Sequence, residues 1–173
     1  KQLFDLYSHR EGLSDKIVGL KYFNVFGPNE YHKGPMASMI YKMTNRAKNG
    51  EPIELFKSND PKYSDGGQMR DFIYVKDAVK MTSFFLENSH CGIFNIGSGV
   101  PTTWNQIAAA LFSALEKKPN IKYIDMPEGL RSQYQNYTCA DMSKFMKICS
   151  SFRFTGIEDA VKEYVRNYLI HNK

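Results

Sequence analysis

Lys21-Tyr-Phe-Asn-Val-Phe-Gly-Pro-Asn-Glu-Tyr-His-Lys-Gly-Pro-Met-Ala-Ser38 is the stretch that decides the fold of this chain. The apolar run from Ile17 to Val25 is nearly continuous, which predicts a strand covered on both faces. Gly27-Pro28 ends the strand, and a polar loop follows. Functional groups of open α/β sheets gather where the carboxyl end of a strand meets a loop. The polar residues at this strand end are therefore candidates for a site: Asn24, Glu30, His32 and Lys33.

Segments with helix and strand character alternate along the chain, which predicts the α/β class. Lys1 to Glu11 has the spacing of a helix, with Gly12 at its C-terminal cap. Thr103-x-x-Gln106 is a capping box that starts the helix with the clearest apolar stripe. Other helices are predicted over Met36 to Ala47, Lys76 to Asn88, Asp141 to Cys149 and Ile157 to Leu169. Other strands are predicted over Ile53 to Phe56, Asp71 to Val75, Gly92 to Gly97 and Ile121 to Ile124, with loops at 58–68 and 128–138.

Composition and charge narrow the classes of partner. The 173 residues carry a formal net charge of +5, which suits an anionic small ligand. The positive charges are scattered, without a basic run, so we expect no nucleic-acid partner. No apolar stretch approaches the length of a membrane span, so we expect no membrane partner. The three cysteines form no CxxC motif, which predicts free thiols in a reducing, cytoplasmic compartment.

Common catalytic and cofactor motifs are missing from this sequence. It contains no GxGxxG before a helix, and no P-loop, HExxH or GxSxG. The chain by itself therefore lacks the usual loop that holds a dinucleotide. His9 and His32 have no second ligand at a useful spacing, so no metal site is predicted.

A family resemblance rests on several motifs together. Lys21-Tyr-Phe-Asn-Val-Phe-Gly-Pro28, Arg70-Asp-Phe-Ile-Tyr-Val-Lys-Asp77 and Phe94-Asn-Ile-Gly97 resemble segments of the extended short-chain dehydrogenases/reductases that act on nucleotide sugars. Within that superfamily, His32-Lys-Gly-Pro-Met-Ala-Ser38 and the segment from Leu130 to Asp141 are similar to the ADP-heptose 6-epimerases. The first set of motifs indicates the superfamily, and the second set indicates the substrate.

The resemblance implies an architecture. Residues 1–173 would form one fragment: the C-terminal part of a doubly wound Rossmann-type sheet, interleaved with a smaller α/β substrate domain. The N-terminal cofactor-binding half, with the glycine-rich loop and a catalytic tyrosine, would be absent. The full-length protein would be a cytoplasmic homo-oligomer.

The resemblance also implies a reaction. NADP would take a hydride from C6″ of ADP-glycero-manno-heptose and return it on the other face, supplying heptose for the lipopolysaccharide inner core. Lys33 would be the acid-base group contributed by this chain, and burial beside other cations would help a lysine to act as a base near neutral pH. Lys1, Val25 and Lys33 would contact the cofactor, Lys1 being aligned with the lysine of a YxxxK motif.

Substrate contacts of the family map onto a larger set of positions. Each of three has a structural alternative. Asn24 could cap a strand end, Arg70 could form an ion pair with Asp71 or Asp77, and Tyr134 could be a packed loop aromatic. Trp104 and the methionines of the second helix are expected in the core. The positions that the resemblance assigns to substrate are Asn24, Pro35, Lys42, Phe56, Lys57, Ser58, Asn59, Arg70 and Tyr134.

Two departures and two alternatives accompany the resemblance. Pro35 stands where many relatives have a serine, and Lys42 where many have a histidine; both could alter affinity for the sugar nucleotide. A UDP- or dTDP-hexose 4-epimerase or dehydratase of the same superfamily would share the segment at 70–77. The chain could also be a non-catalytic fragment that binds a sugar nucleotide or another subunit. We expect the isolated chain to be inactive, because it lacks the dinucleotide loop and the tyrosine.

Overall fold

The α/β class predicted from the sequence is confirmed by a computed structural model, which describes residues 2–170. The helices are α1 (Gln2–Arg10), α2 (Met39–Lys48), α3 (Val75–Glu87), α4 (Trp104–Ala114), α5 (Glu128–Arg131), α6 (Ser143–Ile148) and α7 (Ile157–Tyr164). The strands are β1 (Val18–Tyr22), β2 (Asn24–Phe26), β3 (Ile53–Phe56), β4 (Met69–Tyr74), β5 (Gly92–Ile96), β6 (Pro101–Thr103) and β7 (Ile121–Ile124).

The strands form short, mostly parallel ladders. β1 pairs with β5, and β3 pairs with β7, each in parallel. β2 pairs in parallel with β4, whose first half pairs antiparallel with β6. In the β3–β7 ladder the last residues, Phe56 and Ile124, lie opposite each other. Parallel pairing brings the carboxyl ends of each pair to the same edge, where loops can build a site.

The single strand predicted over Ile17 to Val25 is wrong in two respects. It is interrupted at Phe23, whose N–H donates to the Ile96 carbonyl 2.9 Å away, so that β1 follows β5 while β2 follows β4. It is also not covered on both faces, because Lys21 and Tyr22 are exposed. The continuous apolar run predicted burial, but within residues 2–170 one side of β1 is only partly covered.

Two apolar clusters hold the elements together. One surrounds α2, α4 and α7, where Ile107, Leu111 and Val161 are completely buried. The other lies between α3, α6 and the β1–β5 ladder, with Met81, Ile96 and Phe145 at its centre. The capping box at Thr103 and Gln106 is confirmed. Burial of such apolar stripes supplies most of the stability of these helices.

The second helix begins later than predicted. Met36, expected on its apolar stripe, is 84% exposed and belongs to a 3₁₀ segment, Tyr31–Met36. Gly34 breaks the helical path there with φ +51° and ψ −121°. Ser38 then starts α2 by accepting a hydrogen bond from the Tyr41 N–H at 3.2 Å. These dihedral angles lie outside the helical region, so α2 cannot extend back through Gly34. Glycine adopts a positive φ without the steric cost that other residues have.

Smaller differences occur elsewhere. Pro101–Thr103 forms an additional short strand, and the predicted loop at 128–138 contains the helical turn Glu128–Arg131. The last helix continues as predicted, but its final turn, Val165–Leu169, has π-helical hydrogen bonding. Such short elements lack the repeated spacing that marks a longer helix or strand.

Candidate functional site

A cavity of about 370 Å³ opens beside the carboxyl ends of β3 and β7. Helix α2 forms one wall, while the start of α4 and the loop after α5 form another. Most of its surface is apolar, and charged side chains stand at its rim. Its lining residues are Met39, Lys42, Met43, Arg46, Glu54, Leu55, Phe56, Trp104, Ile124 and Tyr134. A largely apolar cleft with a few polar groups has the character of a small-molecule site.

An aromatic wall gives this cavity its shape. The Phe56 and Tyr134 rings meet edge to face, with centroids 5.8 Å apart and an interplanar angle of 87°. The Trp104 Nε1–H donates to the Tyr134 hydroxyl oxygen at 3.2 Å, and its ring packs edge to face on Phe72 at 5.1 Å. These contacts hold the Tyr134 ring in place, so the wall is preformed.

Arg70 lies against this aromatic wall. Its guanidinium carbon is 4.9 Å from the centroid of the Tyr134 ring, and Nη1 donates to the Met69 carbonyl oxygen at 2.8 Å. Within residues 2–170 it forms no ion pair with Asp71 or Asp77, the structural alternative considered for it. Among the described residues, the only hydrogen bond of its guanidinium is the one to the Met69 carbonyl, although a guanidinium carries five N–H donors.

Asp71, the residue after Arg70, has a structural position. Its completely buried carboxyl group accepts from the main-chain N–H groups of Ser98, Gly99 and Ala140 at 2.7, 2.9 and 2.9 Å. The Ser98 hydroxyl adds a fourth bond at 2.8 Å. Asp71 thus joins β4 to two loops, a structural role beside the substrate contact that is predicted for Arg70.

Lys33 lies outside the cavity, in the Tyr31–Met36 segment. Its side chain is exposed, so the described residues do not provide the burial that was invoked for a base. Its N–H donates to the main-chain carbonyl of Glu30 at 3.0 Å. Glu30 itself is 4% exposed, and its carboxyl group accepts from Ser38 and from Tyr164. The turn that carries Lys33 is thus held from its buried end.

The two departures from the family pattern touch each other. The Lys42 ammonium donates to the Pro35 carbonyl oxygen at 2.6 Å. Lys42 also lines the cavity, whereas Pro35 lies on the exposed segment beside Lys33. This contact connects the cavity to the turn that carries Lys33.

The remaining residues that were predicted for the site lie outside the cavity. The Asn24 side-chain amide donates to the Asp71 carbonyl at 2.9 Å, which is the strand-end cap weighed for it, and Val25 follows in β2. Lys57, Ser58 and Asn59 line a separate hollow with Arg131, where Asn59 donates to the Arg131 carbonyl at 3.0 Å. Lys1 lies outside the described residues, so its assigned contact stays a prediction.

Sequence reasoning missed part of the cavity lining. Trp104 packs on the core as expected, but it also edges the cavity. Arg46 pairs with Glu54 at 3.1 Å on the rim. Position would have indicated both, because Arg46 is one helical turn from Lys42 and Glu54 is two strand residues from Phe56.

Neither a membrane-spanning helix nor a metal-binding cluster occurs within residues 2–170. No helix within residues 2–170 is long and apolar enough to cross a bilayer. The same part of the chain holds no group of three or more His, Cys, Asp or Glu side chains arranged for a metal ion.

Parallel strands whose carboxyl ends adjoin an aromatic cavity, with a guanidinium against its wall, define an α/β protein that can bind a small anionic ligand. The chain belongs to the NAD dependent epimerase/dehydratase family, whose model matches residues 2–97. The predicted resemblance to nucleotide-sugar epimerases of the short-chain dehydrogenase/reductase type is thereby confirmed.

Two members with the same name are similar to nearly the whole of this chain. The chain is 52% identical over 170 residues to the ADP-L-glycero-D-manno-heptose-6-epimerase of Nitratidesulfovibrio vulgaris, an alignment that covers 98% of this chain and 53% of the relative. The fold is similar to the crystal structure of the Helicobacter pylori ADP-L-glycero-D-manno-heptose-6-epimerase, with a TM-score of 0.78, 24% identity, and coverage of 96% of this chain and 48% of that one.

A relative with another substrate is similar as well. A UDP-N-acetylglucosamine 4-epimerase from Methanobrevibacter ruminantium, solved with UDP-N-acetylmuramic acid, has a TM-score of 0.77 and 30% identity, covering 97% of this chain and 51% of that chain. The chain thus spans about half the length of the relatives it matches.

Proposed function

We propose that this chain is the C-terminal half of an NADP-dependent ADP-L-glycero-D-manno-heptose 6-epimerase. The enzyme interconverts the ADP-D-glycero and ADP-L-glycero forms of the sugar nucleotide and supplies heptose for lipopolysaccharide. One observation carries the proposal: the cavity collects Lys42, Phe56 and Tyr134 from three distant segments, and Arg70 lies against Tyr134. The relative at 52% identity supports the choice of substrate.

The cavity suits the nucleotide end of the substrate. A flat base can stack on an aromatic face and cover apolar surface, as the wall of Phe56 and Tyr134 and the methionines of α2 allow. The free N–H groups of Arg70 can pair with two diphosphate oxygens, a geometry that favours arginine over lysine. Lys42 adds a positive charge at the rim.

Lys33 and the strand end beside it suit the reacting end. Asn24 and Lys33 are exposed and Val25 is half-buried, so polar groups at this edge remain accessible to a nicotinamide ribose and a sugar. The residues present fit one side of the cofactor, the main-chain groups of Val25 and the Lys33 ammonium being the contacts this chain would supply. NADP, when bound, accepts and returns the hydride at C6″. Lys33 exchanges the proton of the C6″ oxygen on one face.

An isomerisation assay tests this proposal. Protein extended to the full length of its relatives would be incubated with NADP and ADP-D-glycero-D-manno-heptose, and the configuration at C6″ followed by NMR. We expect both epimers to appear from either starting compound. A folded, cofactor-loaded protein that leaves C6″ unchanged would contradict the proposal.

A second candidate function is a UDP-hexose 4-epimerase. The Methanobrevibacter ruminantium enzyme favours it, because its structure is similar over nearly the whole chain at 30% identity. Competition between ADP and UDP for the full-length protein separates the two candidates. Tighter binding of UDP, with turnover of a UDP-hexose, would replace the first candidate by the second.

A further inference from the structure

The side chain of Glu30 closes the turn that carries Lys33. The main-chain N–H of Ser38 donates to one carboxyl oxygen at 2.6 Å, and the Ser38 hydroxyl donates to the other at 2.7 Å. The main-chain carbonyl of Glu30 accepts from the N–H of Lys33 at 3.0 Å. One buried residue therefore holds both ends of the segment between positions 30 and 38.

The same carboxyl group is fixed to the C-terminal helix. The Tyr164 hydroxyl donates to Glu30 at 2.9 Å, and both side chains are buried. Burial, and next the neighbouring Glu30 carboxyl, raise the pKa of Tyr164 above its ordinary value, which keeps its hydroxyl a donor. Tyr164 lies in α7 and packs on Phe26 with ring centroids 6.4 Å apart, so its position is set by the core.

Apart from Tyr31, which packs on Tyr41 with ring centroids 5.7 Å apart, the turn has few other contacts. No residue of the Tyr31–Met36 segment is buried, and Gly34 leaves the helical path within it. Lys42 contacts the segment at Pro35, but from the exposed side. The buried polar support comes from Glu30, because its carboxyl group accepts from Tyr164 and from Ser38, which also caps α2.

We propose that Glu30, anchored by Tyr164, is a positioning residue that sets the place of Lys33 for the reaction. This rests on the proposed function, in which Lys33 is the acid-base group. A displacement of about 1 Å at a catalytic group can cost about 10²-fold in rate. The cavity proposed for the nucleotide does not include Glu30 or Tyr164, so loss of the anchor should lower kcat far more than it changes KM for the sugar nucleotide.

Two variants of the full-length enzyme test this inference. Glu30→Gln keeps the shape but replaces one acceptor oxygen by an NH₂ group, and Tyr164→Phe removes only the hydroxyl. We expect each to lower kcat by about 10- to 100-fold and to leave KM within about twofold. Tyr168→Phe is the matched control, because this tyrosine lies on the same C-terminal segment without contacting Glu30.

A second readout does not depend on activity. Trypsin can cut after the exposed Lys33, and a loosened turn should be cut about tenfold faster, while cleavage after Arg153 stays unchanged. Equal acceleration at both sites would indicate general destabilisation and would overturn the proposal. Unchanged kcat and unchanged cleavage at Lys33 would overturn it as well. If the wild type fails to epimerise, the proposed function fails, and the cleavage rates alone decide whether Glu30 holds the turn.

Discussion

The cavity beside β3 and β7 and the turn that carries Lys33 differ in how much of their surroundings the described residues provide. The cavity is enclosed by α2, β3, β7 and the residues around Trp104 and Tyr134, all within residues 2–170. The turn is held by the buried Glu30, yet the side chain of Lys33 itself is exposed. The residues proposed for nucleotide binding and the residue proposed for proton transfer lie in different regions, so each region can be tested separately.

The isolated 173-residue chain should bind nucleotide without catalysing the reaction. We expect the isolated 173-residue chain to show no detectable isomerisation at C6″, because the sequence lacks a glycine-rich dinucleotide loop. We expect it to bind ADP, because the cavity is formed by its own residues. NMR of the sugar and calorimetry with ADP measure the two properties. Isomerisation by the isolated chain would contradict the prediction that binding and catalysis are separable.

Replacement of Lys33 should lower the rate of isomerisation and leave ADP binding unchanged. In the full-length protein, Lys33→Ala removes the proposed proton-transfer group, so kcat should fall by about 10²- to 10⁴-fold. ADP affinity should not change, because Lys33 is outside the cavity. Lys62→Ala, at another exposed loop lysine, is the control. Isomerisation that survives the loss of Lys33 would keep the family but place the second base elsewhere.

Replacement of Arg70 should affect diphosphate binding. Arg70→Ala should weaken ADP binding by about 1.5–3 kcal/mol, the usual contribution of a charged hydrogen bond. Arg70→Lys should recover part of the loss, because it keeps the charge but not the paired geometry. Calorimetry with adenosine provides the control, since a ligand without phosphates should bind nearly unchanged. An equal loss for adenosine would show that Arg70 acts only by supporting Tyr134.

Replacement of Tyr134 should have the smallest effect. Tyr134→Ala removes part of the aromatic wall and should cost about 1–2 kcal/mol in affinity for ADP and adenosine alike. Tyr134→Phe keeps the ring but leaves the Trp104 N–H without its 3.2 Å partner, so a smaller loss is expected. Equal affinities of all three proteins would show that the base does not stack there.

Much of the fold could be predicted, because local patterns carry it. The capping box at Thr103 and the apolar stripe of α4 predicted that helix correctly. The break of the first strand at Phe23 could not be predicted, because an apolar run does not show which neighbouring strand each half will join. The burial of Met36 was predicted wrongly, since helical spacing continues past Gly34 although its backbone leaves the helix.

The candidate site was predictable only where a motif carried it. Lys33 and Arg70 were assigned from their segments and those roles stay predictions; the structure adds that Arg70 contacts the Tyr134 ring instead of pairing with a neighbouring aspartate. Arg46 was missed although it lies one helical turn from Lys42. Trp104 was missed because its apolar spacing indicated only the core, and did not reveal which distant loop would pack beside it.

The sequence by itself determined the α/β class, the boundaries of most elements and the family. Hydrophobic periodicity, capping residues and motif spacing are local properties that the chain carries in any conformation. Only the tertiary structure decided that Lys42, Phe56 and Tyr134 share one cavity, and that Glu30 reaches Tyr164 across 134 positions of sequence. Such contacts follow from how strands pair and helices pack, which depends on the whole chain at once.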